Sequence, residues 1–86
     1  MPRVSQFYGI AIYFYYRDHA PPHFHAIYGE HEAVFEISTG SILAGQLPHR
    51  ARSMVEDWIT AHRPELEQDW DLAVASQPLL PIPPLD

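Results

Sequence analysis

The chain has 86 residues, the size of one small domain, and 47% of them are hydrophobic. It has no cysteine, which excludes disulfides and cysteine-based zinc sites, and its net charge of −6 argues against sequence-independent binding to phosphate backbones. No long apolar run opens the chain, so we expect no signal peptide or membrane span and a cytoplasmic location. A domain of this size is marginally stable alone, and a homo-oligomer is one way in which it could bury more surface.

Alternating apolar residues in the first half predict strands. Residues 10–17 form the clearest strand, and residues 4–8 and 41–44 are expected to form short ones. One face of the clearest strand is predicted to join the core: Ile10, Ile12, Phe14 and Tyr16.

The segments 23–28 and 31–37 are expected to pair as a β-hairpin. The two residues between them begin with glycine, as a tight type II′ turn prefers. In the resulting register Phe24 opposes Phe35, and this pair is predicted to anchor the core face. The alternate residues of both strands lie on the other face, away from the helices.

The second half has the apolar spacing of helices. A first helix is expected to begin at Leu47-Pro48 and to end near His62, because the residue before Pro64 is disfavoured in helical geometry. A second helix is expected to begin at Pro64. The prolines of segment 77–86 predict an irregular or polyproline-like tail.

These elements predict an α+β fold. We expect an antiparallel sheet of about four strands with two C-terminal helices packed on one face. Residues 1–76 would form the single domain, and residues 77–86 the proline-rich tail.

Three of the six histidines fall in one stretch, Asp18-His19-Ala20-Pro21-Pro22-His23-Phe24-His25. His23 and His25 lie two residues apart on the predicted strand, so both side chains leave the same face. The register places Glu36 opposite His23. Two histidines and a carboxylate are a ligand set for zinc, nickel or iron, and His19 could fold back as a further ligand.

Two other hypotheses fit the same residues. The histidines could hold the proline connector in place through hydrogen bonds. Alternatively, they could act without metal on RNA: His23 and His25, with His19 beside them, would supply a general acid and base, and Arg17 would contact the phosphate. The acidic net charge does not favour a nucleic-acid substrate.

The histidine stretch and several later residues together resemble the small bacterial proteins of domain-of-unknown-function family 4160 (DUF4160). The resemblance covers roughly residues 1–72. Besides the stretch itself, it rests on Gly9, Gly29, Glu32-Ala33, Gly45-Gln46-Leu47-Pro48, Trp58, Arg63, Glu65-Leu66 and Trp70.

The resemblance implies a function by association. Members of the family look like the toxin-like half of a toxin–antitoxin-type two-gene module, which implies a small antitoxin-like protein partner and action through that partner or on RNA. Its candidate site residues are His19, Pro21, Pro22, His23 and His25. A metal-binding domain and a non-catalytic module that dimerises through its sheet are the alternatives. Whether the protein is an enzyme stays open.

Overall fold

The computed structural model describes residues 2–86 and shows an α+β fold with a five-stranded antiparallel sheet and one C-terminal helix. Each strand pairs with its neighbours in the sequence, so the sheet order is β1-β2-β3-β4-β5. The α+β class is therefore confirmed. The elements are β1 (Arg3–Phe7), β2 (Ile10–Tyr13), β3 (His23–Tyr28), β4 (His31–Glu36), β5 (Ile42–Gly45) and α1 (His49–Val74).

The β3–β4 hairpin has the predicted register. Phe24 opposes Phe35, and the two rings stack with centroids 5.5 Å apart. Phe24 and Ala26 are buried, while His23 and His25 on the other face are partly exposed. The alternation of side chains along β3 therefore separates the core from the histidine pair.

The predicted number of strands was wrong. About four were expected in the sheet, and it has five: the short strands predicted over 4–8 and 41–44 both form, as β1 and β5, and each pairs with a neighbour. The strand predicted over 10–17 is also shorter, since β2 ends at Tyr13. The chain turns at Arg17, whose φ is +57°, and Tyr16 is exposed rather than in the core.

The predicted pair of helices is a single kinked helix. His62 leaves helical geometry, with φ −129° and ψ 23°, and the helix resumes through Pro64. Proline lacks a backbone donor and clashes with the preceding turn, so one residue absorbs the irregularity without ending the helix. Within residues 2–86, no helix has the length and hydropathy needed to cross a membrane.

The segment 77–86 has no regular secondary structure and packs on the fold. Ile82 is buried, and its amide donates to the Val4 carbonyl of β1 at 2.9 Å. The indole Nε1 of Trp58 donates to the Pro83 carbonyl at 2.9 Å. The division into a domain over 1–76, which includes Met1 outside the described residues, and a tail stays a prediction.

Asp69 of α1 connects the helix to this tail. Its Oδ1 accepts the Leu80 amide at 2.9 Å, while its Oδ2 is buried without a hydrogen-bond partner among residues 2–86. Burial raises the pKa of Asp69, and the hydrogen bond from Leu80 offsets this only in part. The ionised carboxylate is therefore disfavoured by the folded state.

We expect Asp69→Asn to raise the free energy of unfolding at neutral pH. Since the folded-state pKa lies above the unfolded one, the favourable contribution of Asp69 is complete below the unfolded pKa and is lost as pH rises through the folded pKa. Asparagine keeps the acceptor for Leu80 and carries no charge. Urea denaturation of both proteins between about pH 4 and about pH 8 measures the difference. A difference that does not grow with pH would contradict the prediction.

Candidate metal centre

Asp18, His23 and His25 converge on one point at the end of β3. One potential ligand atom from each side chain lies within 4.8 Å of those of the other two. The alternation of β3 places the two imidazoles on the same face, with ring centroids 5.7 Å apart. The connector before β3 brings Asp18 back to them. The structure thus assembles two histidines and one carboxylate.

His23 is held between two oxygen atoms. Its Nδ1 lies 2.6 Å from the Pro21 carbonyl oxygen, and its Nε2 lies 2.9 Å from Oδ2 of Asp18. A carbonyl only accepts hydrogen bonds, so Nδ1 carries a proton. The Asp18 carboxylate at Nε2 also only accepts, so this contact needs a proton or a metal ion between the two atoms.

One ring nitrogen of His25 is hydrogen-bonded, and the other has no hydrogen-bond partner in the described part of the chain, residues 2–86. Its Nδ1 lies 3.0 Å from Oε2 of Glu32, which as a carboxylate accepts the Nδ1 proton. Its Nε2 is buried and has no hydrogen-bond partner among residues 2–86. In this tautomer Nε2 presents a lone pair, and an unpaired buried acceptor is costly. The His25 imidazole is thus oriented for a cationic ligand.

Asp18 is an ionised carboxylate in a partly buried position. Burial raises its pKa, but the His19 amide hydrogen bond, the charge of His23 and the hydrogen bond from His23 together hold the pKa below its usual value. The His19 amide donates to Oδ1 at 2.9 Å, so Oδ2 is the oxygen that faces His23. The cluster therefore contains one negative charge.

Two aromatic rings flank the imidazoles. Tyr15 packs on His25 with ring centroids 4.1 Å apart, and Trp70 of α1 packs on His23 at 5.1 Å. The side chains of both histidines are only 12% exposed as a result. The pair lies on the sheet face opposite the buried Phe24, as predicted, but the expectation that this face points away from the helices was wrong for His23, because Trp70 in the C-terminal half of α1 packs on its ring. Apolar side chains packed around a metal site in this way limit the access of water to it.

Glu36, the predicted third ligand, does not join the cluster. It opposes His23 in the register, as predicted, but its carboxylate accepts a hydrogen bond from the Thr39 hydroxyl at 2.9 Å. The carboxylate in the cluster is that of Asp18. Strand pairing places residues opposite each other, but side-chain rotamers and the nearby turn decide where their carboxylates lie.

The other two predicted site residues lie outside the cluster. The side chain of His19 is 96% exposed, and its Nδ1 is 3.4 Å from Oδ1 of Asp18. The Nε of Arg17 donates to the Ser76 hydroxyl at 3.1 Å, which ties it to the end of α1. The grouping of Arg17 with three histidines, which metal-free phosphate chemistry needs, stays a prediction.

Sequence reasoning did not assign Asp18 or Glu32 to the site. Asp18 precedes His23 by five residues, a separation that matches neither strand nor helix periodicity. Glu32 is the diagonal neighbour of His25, because His25 pairs directly with Val34. Diagonal neighbours are within reach of long side chains, so the hairpin register contained the signal for Glu32.

Fold and site together define a small α+β protein with a histidine–carboxylate cluster at one end of an antiparallel sheet. The model of one family, described as "Domain of unknown function (DUF4160)", matches residues 9–71, and the chain belongs to this family. The matched segment contains Asp18, His23, His25 and Glu32. Comparison with curated proteins gives no match, and comparison with solved structures gives none either.

Proposed function

We propose that the protein binds one divalent transition-metal ion, zinc, nickel or iron, through Asp18, His23 and His25. Two observations carry the proposal: the buried Nε2 of His25 has no hydrogen-bond partner among residues 2–86, and His25 belongs to a cluster with His23 and the Asp18 carboxylate. Two histidines and one carboxylate form a ligand set common to zinc enzymes and non-haem iron proteins.

The outer hydrogen bonds support metal binding by the two imidazoles. Metal-binding histidines usually donate the other ring N–H to a carboxylate or a backbone carbonyl, which fixes the tautomer. Here Nδ1 of His25 donates to Glu32 and Nδ1 of His23 donates to Pro21. Both Nε2 atoms are thus the ones available to a metal.

The distances allow closure around an ion. Tetrahedral bonds of about 2.0–2.1 Å place ligand atoms about 3.4 Å apart. His23 Nε2 and Asp18 Oδ2 are already 2.9 Å apart, and the cluster as a whole lies within 4.8 Å. Small side-chain rotations bring the atoms to bonding distance. Three protein ligands leave a position for water or substrate.

A competing hypothesis is that the same residues form a hydrogen-bonded cluster that binds no metal. If the His23 ring carries two protons, it bridges the Pro21 carbonyl and the Asp18 carboxylate and holds the connector. That arrangement satisfies His23 but leaves Nε2 of His25 without a partner among residues 2–86. The buried, unpaired nitrogen therefore favours the metal. The toxin–antitoxin role, the sheet-mediated dimer and the cytoplasmic location stay predictions.

The direct experiment is calorimetric titration of the untagged, chelator-treated full chain with Zn²⁺, Ni²⁺ and, without oxygen, Fe²⁺. We expect one ion per chain for at least one of the metals. Cobalt substitution adds a spectroscopic readout, because visible absorption bands report nitrogen and oxygen ligation. Asp18→Asn and His25→Gln should each weaken binding by about 100-fold or more, because each replaces a proposed ligand with a weakly coordinating amide, and even an outer-shell partner typically contributes about 10–100-fold.

Glu36→Gln is the matched control. It removes a carboxylate from the same sheet face and from the position opposite His23, but from outside the cluster. Unchanged affinity in this variant and weakened affinity in Asp18→Asn would support the proposed ligand set. Absence of saturable binding to the unsubstituted chain, or an equal loss in both variants, would overturn it.

We expect Glu32→Gln to lower metal affinity without unfolding the protein. Loss of an outer-shell partner typically costs about 10–100-fold in metal affinity. The Glu32 side chain is about half exposed, so its replacement should change the free energy of unfolding by less than about 1 kcal/mol. Glu30→Gln, in the exposed hairpin turn, is the control. Equal affinities for the Glu32 and Glu30 variants would show that Glu32 does not orient His25.

A further inference from the structure

A second candidate site lies at the other end of β3. A cavity of about 520 Å³ opens beside Tyr28, the last residue of this strand, whereas His23 is the first. Its volume is within the range of about 300–1,000 Å³ that is typical of small-molecule sites. The cavity is lined by Tyr8, Tyr28, Arg50, Met54, Leu85 and Asp86.

Arg50 is the positively charged group of this cavity, and within residues 2–86 it has no ion-pair partner. The protein has five arginines and no lysine. Within residues 2–86, the Arg50 guanidinium makes no hydrogen bond or ion pair, whereas each of the others donates to an acceptor. The four donor–acceptor pairs are Arg3–Gln6, Arg17–Ser76, Arg52–Glu56 and Arg63–Ile37. An unpaired guanidinium at a cavity, in a chain with net charge −6, is placed to receive an anion.

Tyr8 occupies a position that the fold alone does not favour. It forms the β1–β2 turn with Gly9, and their φ angles are +49° and +79°. Turns with two such angles prefer Asn-Gly, and a bulky residue there is strained. The Tyr8 side chain does not recover this cost by burial, because the residue is 60% exposed. An exposed ring beside a cavity is suited to stack on a planar ligand.

The other lining residues narrow the class of ligand. Tyr28 offers a second aromatic ring, and Met54 offers a flexible apolar surface. Asp86 adds a negative charge, which repels a ligand that carries several charges. We propose that this cavity binds a small aromatic carboxylate, with the ring between the tyrosines and Met54 and the carboxylate on Arg50. The proposal is independent of the metal site.

The experiment uses indole-3-carboxylate as the probe and amide chemical shifts of the full chain as the readout. We expect saturable shifts at the Tyr8-Gly9 turn and around Arg50. Indole and acetate, which each provide half of the probe, should bind at least about 10-fold more weakly. Arg50→Gln should weaken binding of the probe by at least about 10-fold, because a charge-assisted bidentate contact is lost.

Three further variants complete the test. Arg52→Gln is the control, because Arg52 is paired with Glu56 and does not line the cavity. Tyr8→Asn should weaken binding although it suits the turn better, so thermal unfolding should show an unchanged or higher midpoint. Asp86→Asn should tighten binding. Absence of saturable shifts with the unsubstituted chain, or equal affinity for the Arg50 and Arg52 variants, would overturn the proposal.

Discussion

Gly45→Ala is expected to destabilise the protein by at least about 3 kcal/mol, because it combines backbone strain with a steric clash. Gly45 has a φ of +70°, in the region that side chains disfavour. A Cβ at this position would lie 2.1 Å from the carbonyl oxygen of Glu32. Either β5 must separate from β4 or the backbone of Glu32 must move.

Gly40→Ala separates the two causes. Gly40 has a similar φ of +76°, but a Cβ there would have no atom within 4 Å. It should therefore cost only the strain, about 1 kcal/mol. Urea denaturation of the two variants measures both losses. Equal losses would show that the contact between Gly45 and Glu32 is not tight in solution.

The Gly45 substitution should also weaken metal binding. The backbone of Glu32 is held by β5, since the Gln46 amide donates to the Glu32 carbonyl at 3.1 Å. The Glu32 side chain in turn accepts the Nδ1 proton of His25. Movement of this backbone shifts the carboxylate that orients the imidazole. In whatever fraction of the Gly45→Ala chain stays folded, calorimetric titration should give a metal affinity between those of Glu32→Gln and the unsubstituted protein.

The second large effect is expected for Phe24→Ala, about 3–5 kcal/mol. Phe24 is fully buried, stacks on Phe35 and meets Trp58 edge to face with centroids 5.8 Å apart. Its removal leaves a cavity at the centre of the core. Domains are stable by only about 5–15 kcal/mol, so this loss removes a large part of the free energy of unfolding. The variant should therefore be partly unfolded at about 37 °C or slightly above. Denaturation monitored by Trp fluorescence measures the loss.

Leu43→Ala is the control for this substitution. Leu43 is 47% exposed on β5, so its truncation should change the free energy of unfolding by about 0.5 kcal/mol or less. A saturating metal should stabilise both the Phe24→Ala and the Leu43→Ala variants, by about 2.7 kcal/mol at a concentration 100 times the dissociation constant. A metal that stabilises neither chain would contradict the proposed centre, whereas a small loss in Phe24→Ala would contradict the central role of this ring.

The local pattern of residues was sufficient to predict how the strands pair at the centre of the sheet. The β3–β4 register follows from the two-residue turn and the alternation of side chains, which agree on Phe24 opposite Phe35. A shift by one residue would expose Phe24 and bury His25, so burial of one face selects a single register. The same argument places His23 and His25 together on one side of the sheet.

Tertiary contacts decided where the strands and the helix end and how many of them form. The short strands predicted over 4–8 and 41–44 form as β1 and β5, and the pairing of each with its neighbour decides where it begins and ends. Pro64 correctly marked an irregularity near His62, but whether a helix ends or merely bends there depends on its packing on both sides of the kink. Leu66 and Trp70 beyond the kink are buried, which stabilises the continuation.

The residue pattern was sufficient to predict the α+β class, the hairpin and the histidine pair, because these depend on turn chemistry and on a period of two residues. Which carboxylates surround that pair depends on the three-dimensional path of the chain. Asp18 reaches His23 through a folded connector, and Glu32 reaches His25 across the diagonal of a twisted hairpin. Both contacts depend on loop conformation and side-chain rotamers, which no local repeat in the sequence encodes.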